Sequence, residues 1–210
     1  MSVRIPRNRP LLALLALEAL SSDSRRALLG ILLEEKEGLP ASVLAKRLGL
    51  TLPTVLSHLD KLVAAGLVRQ VPSRRGGKPV KLYRAAGARL VLEADLPTLA
   101  AVPPRDKLEE MLRIAVAKLR ENGVLPERLD PVAAQEVLGL DHREALVFAD
   151  YYNMSRDAIV ELLVAEAEEA FRGRKEVSLD EIERELKLTM YWAVKVAGRL
   201  EELGAVSVRY

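Results

Sequence analysis

The sequence predicts a mainly α-helical chain with one small β-hairpin, organised as two units that a helical segment joins. Three observations predict this. Apolar residues recur at helical spacing through most of the 210 residues, of which 50% are hydrophobic. Residues 67–84 instead alternate apolar and polar side chains around two glycines. Pro97, Pro103 and Pro104 fall close together without periodicity, which predicts a linker at 97–104 between units 1–96 and 105–210.

The first unit begins with a leucine-rich run, Leu11–Leu17, that follows three arginines and imitates a secretory signal: Arg4, Arg7 and Arg9. Glu18 interrupts the run and no small-residue cleavage site follows, so we expect a helix over Leu11–Leu20 that packs on its own unit or on a second copy. The arginines are either a minor-groove arm or a disordered terminus. No stretch reaches the roughly 18 apolar residues of a membrane span, which predicts a cytoplasmic protein without a membrane partner.

Three helices and a hairpin are predicted next. Thr51 is a good N-cap, Pro53 fits the first helical turn, and Gly49 and Gly66 end helices. The predicted helices are Ser24–Lys36, Ala41–Leu48 and Leu52–Ala65. The hairpin has its strands near 67–71 and 80–84, and its tip holds two glycines and three cations: Arg74, Arg75, Gly76, Gly77 and Lys78. Three helices followed by a basic hairpin are the outline of a winged helix-turn-helix.

The second unit is predicted to be helical throughout. Two capping boxes, Asp141 with Glu144 and Ser178 with Glu181, mark helix starts. The predicted helices are Arg105–Asn122, Asp141 to about Tyr152, Ser155 to about Phe171, Ser178–Leu186, and one that Thr189 caps and that ends before Gly204.

An internal repeat relates the two units at an offset of 138 residues. The paired positions include Leu44 with Ile182, Leu48 with Leu186, Thr51 with Thr189, Leu62 with Leu200 and Gly66 with Gly204. This pattern favours tandem winged-helix-like units over a chance match of two amphipathic helix pairs. The second copy lacks a wing. The side chains at the positions expected to face outward are bulkier than those of the first copy: Tyr191, Trp192, Lys195, Val196 and Arg199. We therefore expect the second copy to pack against protein, with Trp192 in a core, a dimer contact or a ligand pocket.

Charge separates the two halves. Residues 1–103 hold 16 basic and 8 acidic residues, a net charge of +8, whereas residues 104–210 hold 16 and 22, a net charge of −6. The first half is suited to an anionic partner and the acidic second half is not. The abundance of Glu, Lys and Arg beside only five Asn and Gln is a composition typical of thermophile proteins.

The composition disfavours catalysis and metal binding. The chain has no cysteine and only two histidines, His58 and His142, which excludes disulfides, a thiolate zinc site and a cysteine nucleophile. No phosphate-binding loop, nucleophile elbow or metal-ligand spacing is present. We expect no catalytic residue, no cofactor and no metal.

The stretch LAKRLGLTLPTVLSHLDKLVAAGLV, followed by RRGGKPVKLYR, resembles the winged helix-turn-helix of ArsR-like and MarR-like transcriptional regulators, especially archaeal ones. The resemblance covers about a third of the chain. It implies a homodimer whose recognition helices, 52–65, enter successive major grooves of double-stranded DNA. It places DNA-binding residues on that helix and on the wing: Thr51, Pro53, Thr54, Ser57, His58, Lys61, Arg74, Arg75 and Lys78. The metal ligands of ArsR-like sensors are absent, so metal sensing is not implied.

Together these observations predict a sequence-specific DNA-binding transcription regulator that is not an enzyme. The second unit would dimerise, contact a protein partner or sense an unidentified signal. The alternative is a tandem winged-helix scaffold for protein interactions in a chromosome-segregation or basal transcription assembly. The basic hairpin favours the first interpretation, because a pure protein scaffold does not need it.

Overall fold

A computed structural model describes residues 2–75, 78–123 and 125–209, and for Arg75 and Lys78 it describes the backbone alone. The chain forms two compact units, of which the first ends at Ala100 and the second begins at Ala101. Helices predominate in both units and the sheets are small, as the sequence predicts. No helix in the described part of the chain is long and apolar enough to cross a membrane.

The first unit has five helices and four strands within its described residues. In chain order they are β1 (Ser2–Ile5), α1 (Pro10–Ser21), α2 (Asp23–Glu34), α3 (Ala41–Leu48), α4 (Leu52–Ala64), β2 (Val68–Arg75), β3 (Lys78–Ala85), β4 (Arg89–Leu92) and α5 (Leu96–Ala100). Apolar residues three and four positions apart bring one face of α2, α3 and α4 into a shared core, to which Leu28, Leu44 and Leu59 each contribute fully buried side chains.

The N-terminal residues form a strand and neither a free arm nor a disordered terminus. Strand β1 pairs in parallel with β4, with Arg4 opposite Val91, and Ile5 is buried in the core. Arg7 lies 3.4 Å from Asp95 in an ion pair. The arm interpretation of this segment is therefore wrong for residues 2–5, because pairing with β4 fixes their backbone.

Residues 97–100, which the sequence assigns to a linker, belong to helix α5 of the first unit. The Asp95 carboxylate accepts hydrogen bonds from the backbone N–H and the hydroxyl of Thr98, at 3.1 and 2.6 Å. Pro97 lies in the first turn, where a missing N–H costs no hydrogen bond. Thr98 is buried and α5 packs against α1. The proline that reads as a linker signal thus starts a helix.

The second unit has six helices and two short strands within its described residues. They are α6 (Arg105–Glu121), α7 (Pro131–Leu138), α8 (His142–Met154), α9 (Arg156–Ala170), β5 (Glu176–Ser178), α10 (Leu179–Leu186), α11 (Met190–Glu202) and β6 (Ser207–Arg209). The core centres on large, fully buried side chains: Phe148, Tyr152, Ile159, Leu163 and Trp192. Strands β5 and β6 pair in parallel. Helix α7 is not among the helices that the sequence predicts.

Both capping boxes form as predicted. Asp141 accepts hydrogen bonds from the backbone N–H groups of Arg143 and Glu144, and Glu144 bonds back to the Asp141 N–H. Accepting the Glu144 N–H above all lowers the pKa of Asp141 below its ordinary value. The cap predicted at Thr189 does not form: the Thr189 hydroxyl oxygen is buried and accepts no hydrogen bond from the first turn of α11.

The helix pairs α3–α4 and α10–α11 have the same bounds at an offset of 138 residues. Gly66 and Gly204, which follow the second helix of each pair, have φ values of +69° and +66°. The two helix pairs therefore share their helix lengths, the length of the turn between the helices, and a glycine of positive φ after the second helix.

Candidate nucleic-acid interface

Helix α4 presents one polar face to solvent on the first unit. Val55, Leu59 and Leu62 are fully buried on the opposite face, at spacings of four and three residues that fix the helix orientation. The helix begins where predicted: the Thr51 hydroxyl oxygen accepts the Thr54 N–H at 3.4 Å. It ends at Ala64, one residue before the predicted end.

The exposed face of α4 contains the residues predicted from sequence. Thr51, Pro53, Thr54 and Ser57 are exposed, and His58 is partly buried. The hydroxyl oxygens of Thr51 and Thr54 lie 2.8 Å apart and share a hydrogen bond. These side chains are short, so the helix backbone can approach a partner closely.

Lys61 is exposed but has a partner of its own. Its ammonium nitrogen lies 3.9 Å from a carboxylate oxygen of Glu18 on α1. Both side chains are more than half exposed, and an ion pair of this kind contributes about 0–1 kcal/mol. A phosphate can therefore compete with Glu18 for Lys61.

The hairpin is attached to the helical core at its base. Leu39 and Tyr83 exchange backbone hydrogen bonds of 2.9 and 2.8 Å, so the loop before α3 pairs with β3. Tyr83 is buried, and this burial, followed by the negative charge of Asp60 on α4, raises the pKa of its phenol. The hairpin base and the C-terminal half of α4 are thus close together.

Pairing within the hairpin divides its side chains between two faces. Val68 and Tyr83 are buried, so their face is the one that packs on the helices. Alternation places Gln70, Pro72, Arg74, Lys81 and Pro79 on the same face, further towards the tip. The other face carries Val71 with Leu82, Ser73 with Val80, and the directly opposed pair of Arg69 and Arg84.

All the charged residues of the hairpin are cations. From Val68 to Ala85 it contains six Lys and Arg and no Asp or Glu. Arg74 is exposed, as are Lys81, Arg69 and Arg84, which the sequence analysis did not single out. Strand alternation was the signal that could have identified them. The backbones of Arg75 and Lys78 pair across the strands. The predicted tip glycines, Gly76 and Gly77, and the predicted contacts of the Arg75 and Lys78 side chains lie outside the described residues.

The corresponding face of α11 is partly covered: Lys195 is exposed, but other outward positions are buried. Trp192 and Val196, which occupy the positions of Thr54 and His58, are both 0% exposed, so neither faces outward, and of the three alternatives for Trp192 the structure shows the core position. The Trp192 indole N–H and the Tyr152 hydroxyl both donate to the carbonyl oxygen of Pro126, at 3.3 and 2.6 Å. The segment before α7 therefore covers Trp192 on this helix.

The described residues contain no group of three or more His, Asp or Glu side chains placed to hold a metal ion.

Comparison with protein families gives one match. Residues 20–71 match the model of a family described as "Helix-turn-helix domain". The matched region is about a quarter of the chain and covers α2, α3, α4 and the first part of β2. No curated protein matches the sequence significantly. The match supports a DNA-binding regulatory role for the first unit.

Proposed function

We propose that this protein is a sequence-specific DNA-binding transcription regulator of the ArsR-like or MarR-like type. Helix α4 enters the major groove, with Thr51, Pro53, Thr54, Ser57 and His58 facing the bases or the adjacent phosphates. Lys61 and the hairpin cations Arg74, Arg75 and Lys78 hold phosphates. The mechanism is binding, and the protein needs no cofactor for it.

One juxtaposition carries the proposal. The exposed, short-chained face of α4 and a hairpin with six cations and no acidic residue belong to one unit, whose net charge is +8, and the base of the hairpin lies against the C-terminal half of α4. Phosphate contacts supply a large share of the affinity of DNA-binding proteins, and base contacts from the first turns of a helix supply specificity. The alternative, a solvated hairpin that only maintains solubility, does not account for the absence of any acidic residue among its charged side chains.

The protein acts as a homodimer in this proposal. One helix of α4's length contacts only a few base pairs, whereas two copies read half-sites about 34 Å apart. The second unit is the part of the chain that is free to supply dimer or partner contacts, because its net charge of −6 repels phosphates.

The test is selection of bound duplexes from a random DNA library by the full-length protein at near-physiological salt. The proposal predicts an enriched inverted repeat with half-sites about 10 base pairs apart, centre to centre. If nothing is enriched and all affinity disappears with modest added salt, the cationic face is a non-specific anchor.

A second candidate function is a protein-interaction scaffold, and one observation favours it. On α11, Met190 and Val194 are 47% and 44% exposed, and Gly198 continues the same helix face with no atom near its Cβ position. A flat apolar stripe of this kind is suited to contact with another protein surface. The selection experiment separates the two functions, because a scaffold enriches no DNA sequence.

A further inference from the structure

The N-terminal end of α4 exposes an apolar surface. Leu52, the first residue of the helix, is 44% exposed, whereas the nearby Leu48, Leu50 and Leu56 pack against the core. Pro53 beside it is also exposed. A single exposed leucine is common on protein surfaces. Its position is what matters here, because the first residues of a recognition helix are those that contact base edges.

The side chains that usually read purines are absent from α4. The sequence from Leu52 to Ala64 contains no Arg, Asn or Gln. Guanine is most often read by a bidentate Arg or Lys, and adenine by a bidentate Asn or Gln. The single cation, Lys61, lies nine positions along the chain from Leu52, beside Glu18 and next to the acidic Asp60. The first turns of α4 therefore have no bidentate purine reader.

The hydroxyl groups of the first turn are partly engaged with each other. Thr51 and Thr54 share a hydrogen bond of 2.8 Å, and the Thr51 oxygen also accepts the Thr54 N–H. Besides the one hydroxyl hydrogen that the shared bond leaves available, this turn offers a base pair two exposed apolar groups, the Leu52 side chain and the Pro53 ring. In the major groove, the apolar feature that distinguishes one base from the others is the C5-methyl group of thymine.

We infer that the N-terminal end of α4 selects thymine through its methyl group and that Leu52 makes the principal contact. The inference rests on the proposed function, in which α4 reads the major groove. It specifies the DNA sequence class further: each half-site contains an A·T pair whose thymine methyl faces Leu52. The contact buries one methyl group, for which the expected effect is about a fourfold change in affinity per thymine.

The experiment uses the duplex that the full-length protein selects from the random library. Each thymine in a half-site is replaced by deoxyuridine, which removes only the methyl group and leaves every hydrogen-bonding edge unchanged. The dissociation constant is measured at one fixed salt concentration. We expect one or two positions per half-site at which the wild-type protein binds the uracil duplex about fourfold more weakly.

Two variants test whether Leu52 causes the weaker binding of the uracil duplex. In Leu52→Ala, the affinities for the thymine and uracil duplexes become equal at those positions. Leu33→Ala is the matched control, because Leu33 on α2 is also 44% exposed, and it keeps the fourfold ratio. Circular dichroism melting checks that both variants fold like the wild type.

The outcomes distinguish the inference from the proposed function. If a site is enriched but uracil changes the affinity nowhere, the thymine inference is overturned and sequence-specific binding stands. If the thymine effect persists unchanged in Leu52→Ala, the assignment to Leu52 is overturned. If no site is enriched at all, the proposed function fails and the inference fails with it.

Discussion

Gly38 shows how a single residue fixes the hairpin on the helical core. Its φ is +80°, and a Cβ atom at this position would lie 2.6 Å from the backbone oxygen of Tyr83. The Leu39–Tyr83 hydrogen bonds that anchor β3 follow directly after it. Glycine is therefore required here both for the left-handed backbone and for the close approach of two chain segments.

We predict that Gly38→Ala lowers the free energy of unfolding of the first unit by about 3 kcal/mol or more, because strain and a backbone clash add. Gly49→Ala is the control, since Gly49 also has a positive φ, +65°, but no atom within 4 Å of its Cβ position. It should cost about 1 kcal/mol. Denaturant unfolding followed by circular dichroism measures the free energy of unfolding of both variants. Equal losses in the two variants would show that the backbone clash at Gly38 contributes nothing.

Arg25 links two elements, because it caps the C-terminal end of α1 from within α2. It is 7% exposed, and its guanidinium donates to the carbonyl oxygens of Ala19 and Glu18 at 2.7 and 2.6 Å. The last carbonyls of a helix have no partner inside the helix, so a buried cation that satisfies two of them holds α1 in place.

Replacing Arg25 with Ala should therefore destabilise the first unit by about 2–3 kcal/mol. Arg26→Ala provides the comparison, because Arg26 bonds the Leu20 carbonyl oxygen from an exposed position and should cost less than about 1 kcal/mol. Amide hydrogen exchange in α1 reports the change directly. Similar loss of protection in both variants would rule out a special role for the buried guanidinium.

The two faces of the hairpin offer a matched test of phosphate contact. Arg74 and Lys81 lie on the face that continues from the core, whereas Arg69 and Arg84 lie on the opposite face. We predict that the double variant Arg74→Ala/Lys81→Ala weakens binding to every duplex. Its log–log salt slope should become shallower by about 1–2, because up to two phosphate contacts are lost.

Arg69→Ala/Arg84→Ala removes the same charge from the other face and should change the slope by less than half as much. Salt titrations of the selected duplex and of a scrambled duplex give both slopes. Equal slope changes in the two double variants would show that the number of cations matters and their placement does not.

At the scale of the whole molecule, acid should destabilise the second unit through its two capping boxes. Hydrogen bonds from the backbone, chiefly Glu144 N–H to Asp141 and Ser178 N–H to Glu181, lower the pKa of both carboxyls. The contribution of these two carboxylates to the stability of the second unit is therefore complete above the unfolded-state pKa values near 4. It is lost as the pH falls below those values.

Trp192 makes this measurable, because it is the single tryptophan of the chain and is buried in the second unit. We predict that the urea midpoint of Trp192 fluorescence falls as the pH drops from about 5 to about 3. Asp141→Asn/Glu181→Gln should make that fall smaller, since neither new side chain titrates. An unchanged pH dependence in this variant would contradict the capping account.

The sequence predicted most of the local structure and the proposed interface, because both depend on short-range signals. Thr51, Gly49 and Gly66 mark the ends of α3 and α4, and strand alternation marks the hairpin. Five of the six predicted positions at the start of α4 and along its face lie in solvent, as the N-cap signal and helical periodicity predict: Thr51, Pro53, Thr54, Ser57 and Lys61.

The features that the sequence analysis missed depend on contacts between distant parts of the chain. Strand β1 forms only because β4 returns beside it, 87 positions later in register. Trp192 is buried because the segment at Pro126 covers it, 66 positions earlier. Periodicity within α11 cannot reveal such a cover, and the same proline signal that marks a linker also fits the first turn of α5.

The most direct test of the account compares the affinity of the full-length protein for the selected duplex and for a scrambled duplex at one salt concentration. The wild type should prefer the selected duplex by at least about a thousandfold. In Ser57→Ala/His58→Ala this preference should fall sharply, while the affinity for scrambled DNA stays the same, because only base contacts are lost. A variant that keeps the full preference would contradict base reading by this face of α4.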